Sequence, residues 1–169
     1  RTNQRLMSAR LYVLLDGRSS VASFRSLCEQ LLDGPVDIVQ LRDKQLSDRQ
    51  LLERARLLRE LTRSRGVLFV VNDRVDLALA AHADGVHLGQ DELPPREARR
   101  LMGPQALIGV STHDIQQARQ AVLDGADYIG CGPTFPSSTK SFPQFPGLDY
   151  LREVCREITL PAFAIGGID

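Results

Sequence analysis

The chain has 169 residues, of which 43% are hydrophobic and 25% are charged, a balance typical of one globular domain. Basic and acidic residues both number 21, which excludes the overall positive charge by which many proteins attract nucleic acid. No apolar run is long enough to cross a bilayer, and three widely spaced cysteines indicate neither a disulfide framework nor a zinc site. We therefore expect a cytoplasmic protein without a membrane or nucleic-acid partner.

Seven short apolar runs recur along the chain, and their lengths fit buried β-strands. They span residues 11–17, 37–43, 67–73, 85–89, 107–112, 128–133 and 161–168. The clearest helical segment between them runs from Ser47 to Arg65, where Ser47 and Gln50 predict a capping box and Gly66 predicts the helix end. Further predicted helices cover residues 74–82, 95–102, 114–123 and 148–158.

Alternation of strands with helices predicts a parallel sheet with helical crossovers. Two architectures have this pattern, the eight-stranded (β/α)8 or TIM barrel and the doubly wound open sheet. No GxGxxG motif follows the first run, which argues against a dinucleotide-binding open sheet, and the even spacing of the repeats favours the barrel. We predict an α/β protein in which residues 1–169 form a single TIM-barrel domain.

Polar residues crowd at the carboxyl ends of the runs, which in a barrel form the active-site face. In QLRDK, Gln40, Arg42 and Lys44 are spaced by two and share one face of a strand, whereas Leu41 and Asp43 take the other. Two cations at the end of a buried strand are costly without an anion, and phosphate suits both. The alternative is that Arg42 and Lys44 pair with surface acids.

Acidic residues follow two further runs. Asp73, beside Asn72, suits a Mg²⁺ ion that keeps water or phosphate oxygens as its other ligands, although Asp73 could instead cap the next helix. Asp91 or Glu92 could complete the metal site, or both could complement the dipole of the helix that follows. His87 lies within a strand and is expected to be a packed core histidine.

The stretch YIGCGPTFPSSTK, residues 128–140, passes from a strand into a polar loop. Gly130 and Gly132 would let the backbone approach a ligand. The loop then offers hydroxyl groups and a cation suited to an oxyanion, from Ser137, Ser138, Thr139 and Lys140. The alternative is an ordinary flexible polar loop.

A glycine pair, Gly166 and Gly167, ends the last run and either directs amide groups at a phosphate or forms a tight turn. Together, the cations, acids and donor-rich loops predict a polyphosphate with Mg²⁺ and a second phosphorylated molecule as ligands.

This sequence resembles the thiamine-phosphate synthase family over roughly residues 10–169, through stretches in the family's order and spacing: QLRDK, VNDRVDLALAAHADGVHLGQ, IGVSTHD, ADYIGCGPTFPSSTK and PAFAIGGI. The resemblance implies a Mg²⁺-dependent barrel transferase. Such an enzyme condenses 4-amino-2-methyl-5-hydroxymethylpyrimidine diphosphate with hydroxyethylthiazole phosphate and releases pyrophosphate and thiamine phosphate. The diphosphate leaves first, and the thiazole nitrogen traps a pyrimidine carbocation.

The resemblance also implies roles for individual residues. The pyrimidine diphosphate would be held by residues Gln40, Leu41, Arg42, Asp43, Lys44 and Asn72. Mg²⁺ would be bound by Asp73, and the thiazole phosphate by Ser137, Ser138 and Thr139, with Gly166 and Gly167 nearby. The catalytic residues implied are Arg42, Lys44, Ser111 and Lys140, of which Ser111 and Lys140 contact the departing pyrophosphate.

Two features depart from the family pattern. The family usually has aspartate as the second acid after GQ and uses it as a metal ligand. Here Glu92 occupies that position and is one methylene longer, so Glu92 is the expected ligand and Asp91 the alternative. The family also has an eighth strand and helix, which are expected to follow Asp169, and a helix is expected before Arg1. We therefore expect a barrel truncated after its seventh strand.

Two other functions compete with the transferase. A thiazole tautomerase uses a similar barrel, but an isomerase needs no diphosphate site, so Asn72, Asp73 and the STK loop ending argue against it. The second alternative is a non-catalytic barrel that only binds a phosphorylated ligand. The presence of Arg42, Lys44, Asp73 and Lys140 argues against a decayed site.

Overall fold

The computed structural model describes residues 2–136 and 146–168. In these ranges all seven predicted strands are confirmed: β1 (Tyr12–Leu15), β2 (Ile38–Leu41), β3 (Leu68–Asn72), β4 (Gly85–Leu88), β5 (Leu107–Thr112), β6 (Tyr128–Cys131) and β7 (Ala162–Ala164). The helices are α1 (Thr2–Ser8), α2 (Val21–Leu32), α3 (Asp48–Arg65), α4 (Val75–Ala80), α5 (Pro95–Met102), α6 (Ile115–Leu123) and α7 (Gly147–Glu157).

The predicted limits of α3 are confirmed in detail. The side chain of Ser47 accepts from the amide of Gln50, and the Gln50 side chain returns a bond to the Ser47 amide, which completes the capping box. The helix ends at Gly66, which adopts a left-handed conformation with φ of 71°. The four other predicted helices are confirmed as α4 to α7 with small differences at their ends.

Helix α2 was not among the predicted elements, although the sequence carries a signal for it. Ser20 caps its first turn by accepting from the amide of Ser23. Phe24, Cys28 and Leu32 recur at a four-residue spacing and are all buried, which is the apolar stripe of a surface helix.

The strands form one parallel sheet in sequential order from β1 to β7. Sequential order distinguishes a barrel from a doubly wound sheet, in which the order reverses part-way. The rings of Tyr12 in β1 and Phe163 in β7 lie 5.2 Å apart, centroid to centroid. The sheet therefore curls far enough to bring its end strands together as a nearly closed barrel, and the predicted barrel architecture is confirmed.

Side chains alternate between the two faces of the sheet. Val39, Leu41, Phe69 and Val71 point outwards and are buried in a core shared with residues of the surrounding helices. This core contains helix residues such as Phe24, and each large side chain that it buries contributes on the order of 1.5–3 kcal/mol to folding.

The inner face closes at the amino ends of the strands. Ile38, Leu68, Leu107 and Tyr128 are each the first residue of a strand, and they pack in one cluster with Leu6 of α1. Helix α1 therefore covers that end of the barrel, and the carboxyl ends of the strands are left to build a site. Within the described residues, no helix is long and apolar enough to span a membrane.

Candidate active site

The end of β2 divides its side chains between the barrel interior and the outer core, as predicted. Gln40 is buried, and its Nε2 donates to the hydroxyl of Tyr12 at 2.7 Å. Leu41 is only 1% exposed and packs in the outer core. The structure therefore gives the Leu41 side chain a packing role and leaves only its backbone for contact with a ligand.

Asp43 organises the loop after β2. One carboxylate oxygen accepts from the amides of Gln45 and Leu46, and the other accepts from the amide of Gly17. The side chain is 1% exposed, so these donors occupy it fully. Asp43 consequently holds the backbone that carries Arg42 and Lys44, and its carboxylate is turned away from any ligand.

The two cations of this loop lie at the rim of the barrel. The amide of Arg42 donates to the carbonyl of Leu15 at 2.8 Å, while its partly exposed guanidinium forms no hydrogen bond within the part of the chain that the structure describes. The Nζ of Lys44 lies 3.4 Å from an oxygen of Asp73. Lys44 is thus paired with another candidate site residue that itself lies just past a strand end, so this ion pair fits both the predicted site and the alternative that Lys44 pairs with an acid at the surface.

Asp73 sits in a special backbone conformation after β3. Its φ is 59°, in the left-handed region where aspartate is among the tolerated residues, and its amide donates to the carbonyl of His87 at 2.8 Å. The N-cap of α4 is Arg74, without a side-chain capping bond. The alternative that Asp73 caps α4 is therefore wrong, and its carboxylate, 16% exposed, faces Lys44 instead.

Neighbouring ion pairs fix this part of the rim. The guanidinium of Arg74 binds both carboxylate oxygens of Asp48 and also contacts Asp76. The arginine lowers the pKa of each carboxyl group, chiefly through its hydrogen bonds. These contacts tie the start of α3, which follows Lys44 in the chain, to the start of α4, which follows Asp73.

Asn72, the last residue of β3, lies opposite His87 of β4 in the sheet register.

The acids after β4 lie in an exposed turn. Asp91 and Glu92 both precede Pro94, the N-cap of α5, and the acidic residue of its first turn is Glu97. Asp91 and Glu92 thus lie just before α5 and outside its first turn, so the alternative that they complement its dipole stays open beside the metal-ligand prediction. Gln90 anchors their turn, because its Nε2 donates to the carbonyl of Ser111 at the end of β5.

A continuous line of hydrogen bonds crosses the interior beneath the rim. We call it the buried polar network, and its members are Gln40, Tyr12, Tyr128, His87 and Ser111. The two tyrosine hydroxyls lie 2.8 Å apart, the Tyr128 hydroxyl lies 3.1 Å from Nδ1 of the imidazole, and its Nε2 lies 2.9 Å from Oγ of the serine. The network links Gln40 and Ser111, two of the predicted site residues.

His87 is buried, as predicted for a core histidine. Burial lowers its pKa to about 4, so the imidazole is neutral at physiological pH. Burial likewise raises the pKa of the Tyr12 and Tyr128 hydroxyls above the usual value for tyrosine. The network is thus a set of neutral hydrogen-bonding groups.

Gly130 in β6 and Gly132 just after it lie close to other parts of the protein. A Cβ at Gly130 would lie 3.3 Å from Cε1 of His87, and a Cβ at Gly132 would lie 2.4 Å from the carbonyl oxygen of Ile165. The space that these residues leave is therefore filled by an imidazole ring and by the chain after β7. These contacts give both glycines a reason within the fold, and the approach of a ligand to their backbone stays a prediction.

Gly166 and Gly167 form a tight turn packed against residues 133–136. Their φ angles are 93° and 65°, and a Cβ on either would come within 3.0 Å of this segment. The carbonyl of Gly166 accepts from the amide of Phe135 at 2.9 Å. Neither glycine amide donates a hydrogen bond in the described part of the chain, so both the turn and the donor role predicted for this pair fit its geometry.

The remaining predicted residues of the hydroxyl-rich loop, Ser137, Ser138, Thr139 and Lys140, lie outside the described residues. The described residues thus bring Lys44 and Asp73 into contact and join Gln40 to Ser111 through the network.

A sequence model of the family described as thiamine monophosphate synthase matches residues 11–169. The chain belongs to this family. The thiamine-phosphate synthase of Rhodopirellula baltica is 47% identical over 171 residues, which cover 98% of this chain and 46% of the relative. The thiamine-phosphate synthase of Chloroflexus aurantiacus is 51% identical over 162 residues, which cover 95% of this chain and 74% of the relative. The chain thus spans about half the length of the first relative and about three quarters of the second.

Solved structures agree with this family assignment. Thiamine phosphate pyrophosphorylase from Pyrococcus furiosus is 35% identical, with a TM-score of 0.81 over 100% of this chain and 79% of that one. The 3-dehydroquinate dehydratase of Geobacillus kaustophilus, at 16% identity and a TM-score of 0.67 over 94% of this chain and 74% of that one, shares the fold alone. The resemblance to the thiamine-phosphate synthase family is confirmed.

The chain, as a member of the thiamine monophosphate synthase family, has at the barrel rim a carboxylate, that of Asp73, whose surroundings suit a magnesium ion. The described residues contain no group of three or more His, Cys, Asp or Glu side chains that could hold a metal. Mg²⁺ needs no such group, since it often takes one or two carboxylates and completes its shell with water and phosphate oxygens. The Asp73 carboxylate at a strand end, partly exposed and beside a cation, fits that mode of binding.

Proposed function

We propose that the protein containing this chain is a thiamine-phosphate synthase. In this proposal the enzyme transfers the pyrimidinylmethyl group of the pyrimidine diphosphate to hydroxyethylthiazole phosphate. The observation that carries the proposal is the Lys44–Asp73 pair, an ammonium group 3.4 Å from a carboxylate at the ends of adjacent strands, since these groups suit phosphate and a magnesium ion respectively. Relatives that carry this name are 47% and 51% identical to the chain.

The reaction consists of two bond changes. The C–O bond between the pyrimidine methylene and the diphosphate breaks, and its electron pair leaves on the diphosphate. The lone pair of the thiazole nitrogen then forms the new C–N bond. Neither step removes a proton from carbon, so the site has to stabilise the leaving charge and position the nucleophile.

The rim supplies groups for the leaving diphosphate. Arg42 offers a planar guanidinium without a hydrogen-bond partner among the described residues, which can bind two phosphate oxygens at once. Lys44 adds a point charge, and Ser111 and Lys140 would contact the pyrophosphate as it departs. Gln40 and Asn72 would hold the pyrimidine end of the substrate.

Asp73 would hold Mg²⁺ together with Glu92, with Asp91 as the alternative second ligand. When bound, the ion would neutralise the negative charge that develops on the leaving diphosphate. A diphosphate bound here would pair with the positive charge of Lys44, whereas the negative charge of Asp73 suits it to the metal ion.

The second substrate would bind where the chain after β6 meets the chain after β7. The amides of Gly166 and Gly167 donate no hydrogen bond to the described residues and would bind the phosphate, and the hydroxyl groups of Ser137, Ser138 and Thr139 would complete the proposed thiazole-phosphate site. The close packing of the glycine pair on residues 133–136 supports this placement, since it fixes where the hydroxyl-rich loop begins.

The decisive experiment measures pyrophosphate release by the purified protein with Mg²⁺ and both phosphorylated substrates, omitting each component in turn. Release that needs all three is the expected result. Isomerisation of the thiazole phosphate without pyrophosphate release would assign the tautomerase activity instead. Binding of both substrates without turnover would favour the phosphate-binding barrel.

A further inference from the structure

The buried polar network has a direction that can be worked out by counting protons. The amide nitrogen of Gln40 donates to the Tyr12 hydroxyl. Each tyrosine hydroxyl carries one proton, so the proton of Tyr12 remains to be donated. Its other hydrogen bond is to Tyr128, so Tyr12 donates this bond. Tyr128 must then donate its own hydrogen bond to Nδ1 of His87.

These bonds fix the tautomer of the imidazole. A neutral imidazole has one N–H group and one acceptor nitrogen. Since Nδ1 accepts from Tyr128, the proton sits on Nε2 and is donated to Oγ of Ser111, 2.9 Å away. The hydroxyl proton of Ser111 is therefore not used in any hydrogen bond among the residues that the structure describes.

Hydrogen-bond donation in the opposite direction, from His87 to Tyr128 to Tyr12, would leave the Tyr12 hydroxyl proton without an acceptor among the described residues. With the proton on Nδ1, His87 would donate to Tyr128, and Tyr128 would donate to Tyr12. The oxygen of Tyr12 would then accept twice, from Gln40 and from Tyr128. Its own proton would have no acceptor, because the described residues offer the Tyr12 hydroxyl only these two hydrogen bonds. The hydroxyl of the partly buried Tyr12 would then make one hydrogen bond fewer inside the barrel, which is destabilising, so the amide of Gln40 selects the first direction.

We infer that Tyr12, Tyr128 and His87 are positioning residues that hold Ser111 as a hydrogen-bond donor towards the mouth of the barrel. The Ser111 hydroxyl proton then points at an oxygen of the leaving diphosphate, where it stabilises the charge that develops. The identity of that oxygen rests on the proposed function, whereas the direction of the network does not. The neutral state that burial imposes on His87 agrees with this assignment.

The first test needs no substrate. Nitrogen NMR of protein labelled with ¹⁵N-histidine distinguishes a ring nitrogen that carries a proton from one that does not, and His87→Gln identifies the signals by their loss. The expected spectrum shows a protonated Nε2 and an unprotonated Nδ1. A protonated Nδ1 would overturn the inference. In Tyr128→Phe, Nδ1 loses its donor, and we expect the two tautomers to become mixed.

The second test asks whether the tyrosines act through Ser111. In single turnovers, we expect Ser111→Ala to slow pyrophosphate formation by about 100-fold, as for loss of an oxyanion donor, and Tyr128→Phe by about tenfold. Tyr128→Phe should have no further effect in the Ser111→Ala background, since coupled residues are non-additive. Equal effects in both backgrounds would overturn the inference.

Two further variants complete the design. Tyr150→Phe is the matched control, because Tyr150 is also buried but donates to Thr112 outside the network, and its rate should stay within about twofold of the parent protein. Tyr12→Phe breaks the network at another point and should repeat the Tyr128→Phe result. A protein that releases no pyrophosphate would refute the proposed function, and the NMR spectrum would then decide the direction of the network by itself.

Discussion

The ammonium nitrogen of Lys44 lies 3.4 Å from a carboxylate oxygen of Asp73 and joins the loop after β2 to the end of β3. The lysine side chain is 60% exposed, and exposed ion pairs contribute only about 0–1 kcal/mol to stability. The pair therefore does little for the fold. It does present a cation and a carboxylate side by side at the mouth of the barrel, where the proposed function needs them.

Asp73→Asn should leave the fold intact and greatly reduce turnover. The substitution keeps the shape and the side-chain oxygen but removes the charge that would hold Mg²⁺. We expect the rate of pyrophosphate release to fall on the order of 100-fold at fixed Mg²⁺. The matched control is Asp149→Asn, whose side chain is 93% exposed at the start of α7. Equal rates for Asp73→Asn and the parent protein would refute the metal assignment.

Glu92→Gln should raise the Mg²⁺ concentration needed for half-maximal activity by about tenfold, as is typical when one metal-site group is lost. Asp91→Asn serves as the comparison, because Asp91 occupies the neighbouring position of the same exposed turn. A magnesium titration of activity checks this for both variants. If only Asp91→Asn shifts the titration, Asp91 is the second ligand and the longer Glu92 side chain is not.

Lys140→Glu should slow the reaction far more than Arg63→Glu, by on the order of 100-fold relative to that control. Both changes reverse one positive charge, but Arg63 lies exposed in the last turn of α3. Steady-state rates of pyrophosphate release with both substrates check this. Similar rates for the two variants would show that Lys140 does not meet the departing pyrophosphate.

The sequence was sufficient to predict the barrel because its strands and helices are encoded locally. Apolar runs, the Ser47 capping box and Gly66 each specify an element through neighbours in the chain. The alternation of Gln40 and Leu41 between the barrel interior and the outer core also followed from strand geometry alone. Polar residues at strand ends then gathered at one rim because all the strands are parallel.

The buried polar network could not be predicted in the same way. Tyr12 and Tyr128 lie in the apolar runs of two strands that are distant in sequence, and their hydroxyls meet only when the sheet curls. The space beside Gly130 is likewise filled by His87 of another strand. A local pattern shows that a glycine leaves room, but the partner that occupies the room depends on the register of the sheet.

Acid should destabilise the protein through His87. Burial lowers the pKa of His87 in the folded state to about 4, whereas an unfolded histidine titrates near pKa 6.5. Below pH ~6.5 the unfolded state therefore binds a proton that the folded state does not, and the free energy of unfolding falls until pH ~4. Between pH ~7.5 and ~5, we expect this one group to cost about 2 kcal/mol.

Urea unfolding of three proteins at these two pH values isolates the contribution of His87. His87→Gln should lose less free energy of unfolding on acidification than the parent protein does. The control is His82→Asn, which removes an exposed histidine at a position of positive φ that asparagine tolerates, and it should respond to pH like the parent protein. An unchanged pH response in His87→Gln would contradict the assignment of a buried neutral imidazole.

Gly166→Ala should destabilise the protein more than Gly103→Ala does. The two glycines have similar positive φ angles of 93° and 88°, so alanine meets backbone strain at each. They differ in their surroundings, because a Cβ at Gly166 would lie 2.7 Å from Cβ of Pro133, while a Cβ at Gly103 would meet nothing within 4 Å. Overpacking of this kind typically costs a further ~1–3 kcal/mol. Urea unfolding curves measure the free energy of unfolding of both variants. Equal decreases would mean that the turn after β7 adjusts to the added methyl group and does not fix the start of the hydroxyl-rich loop.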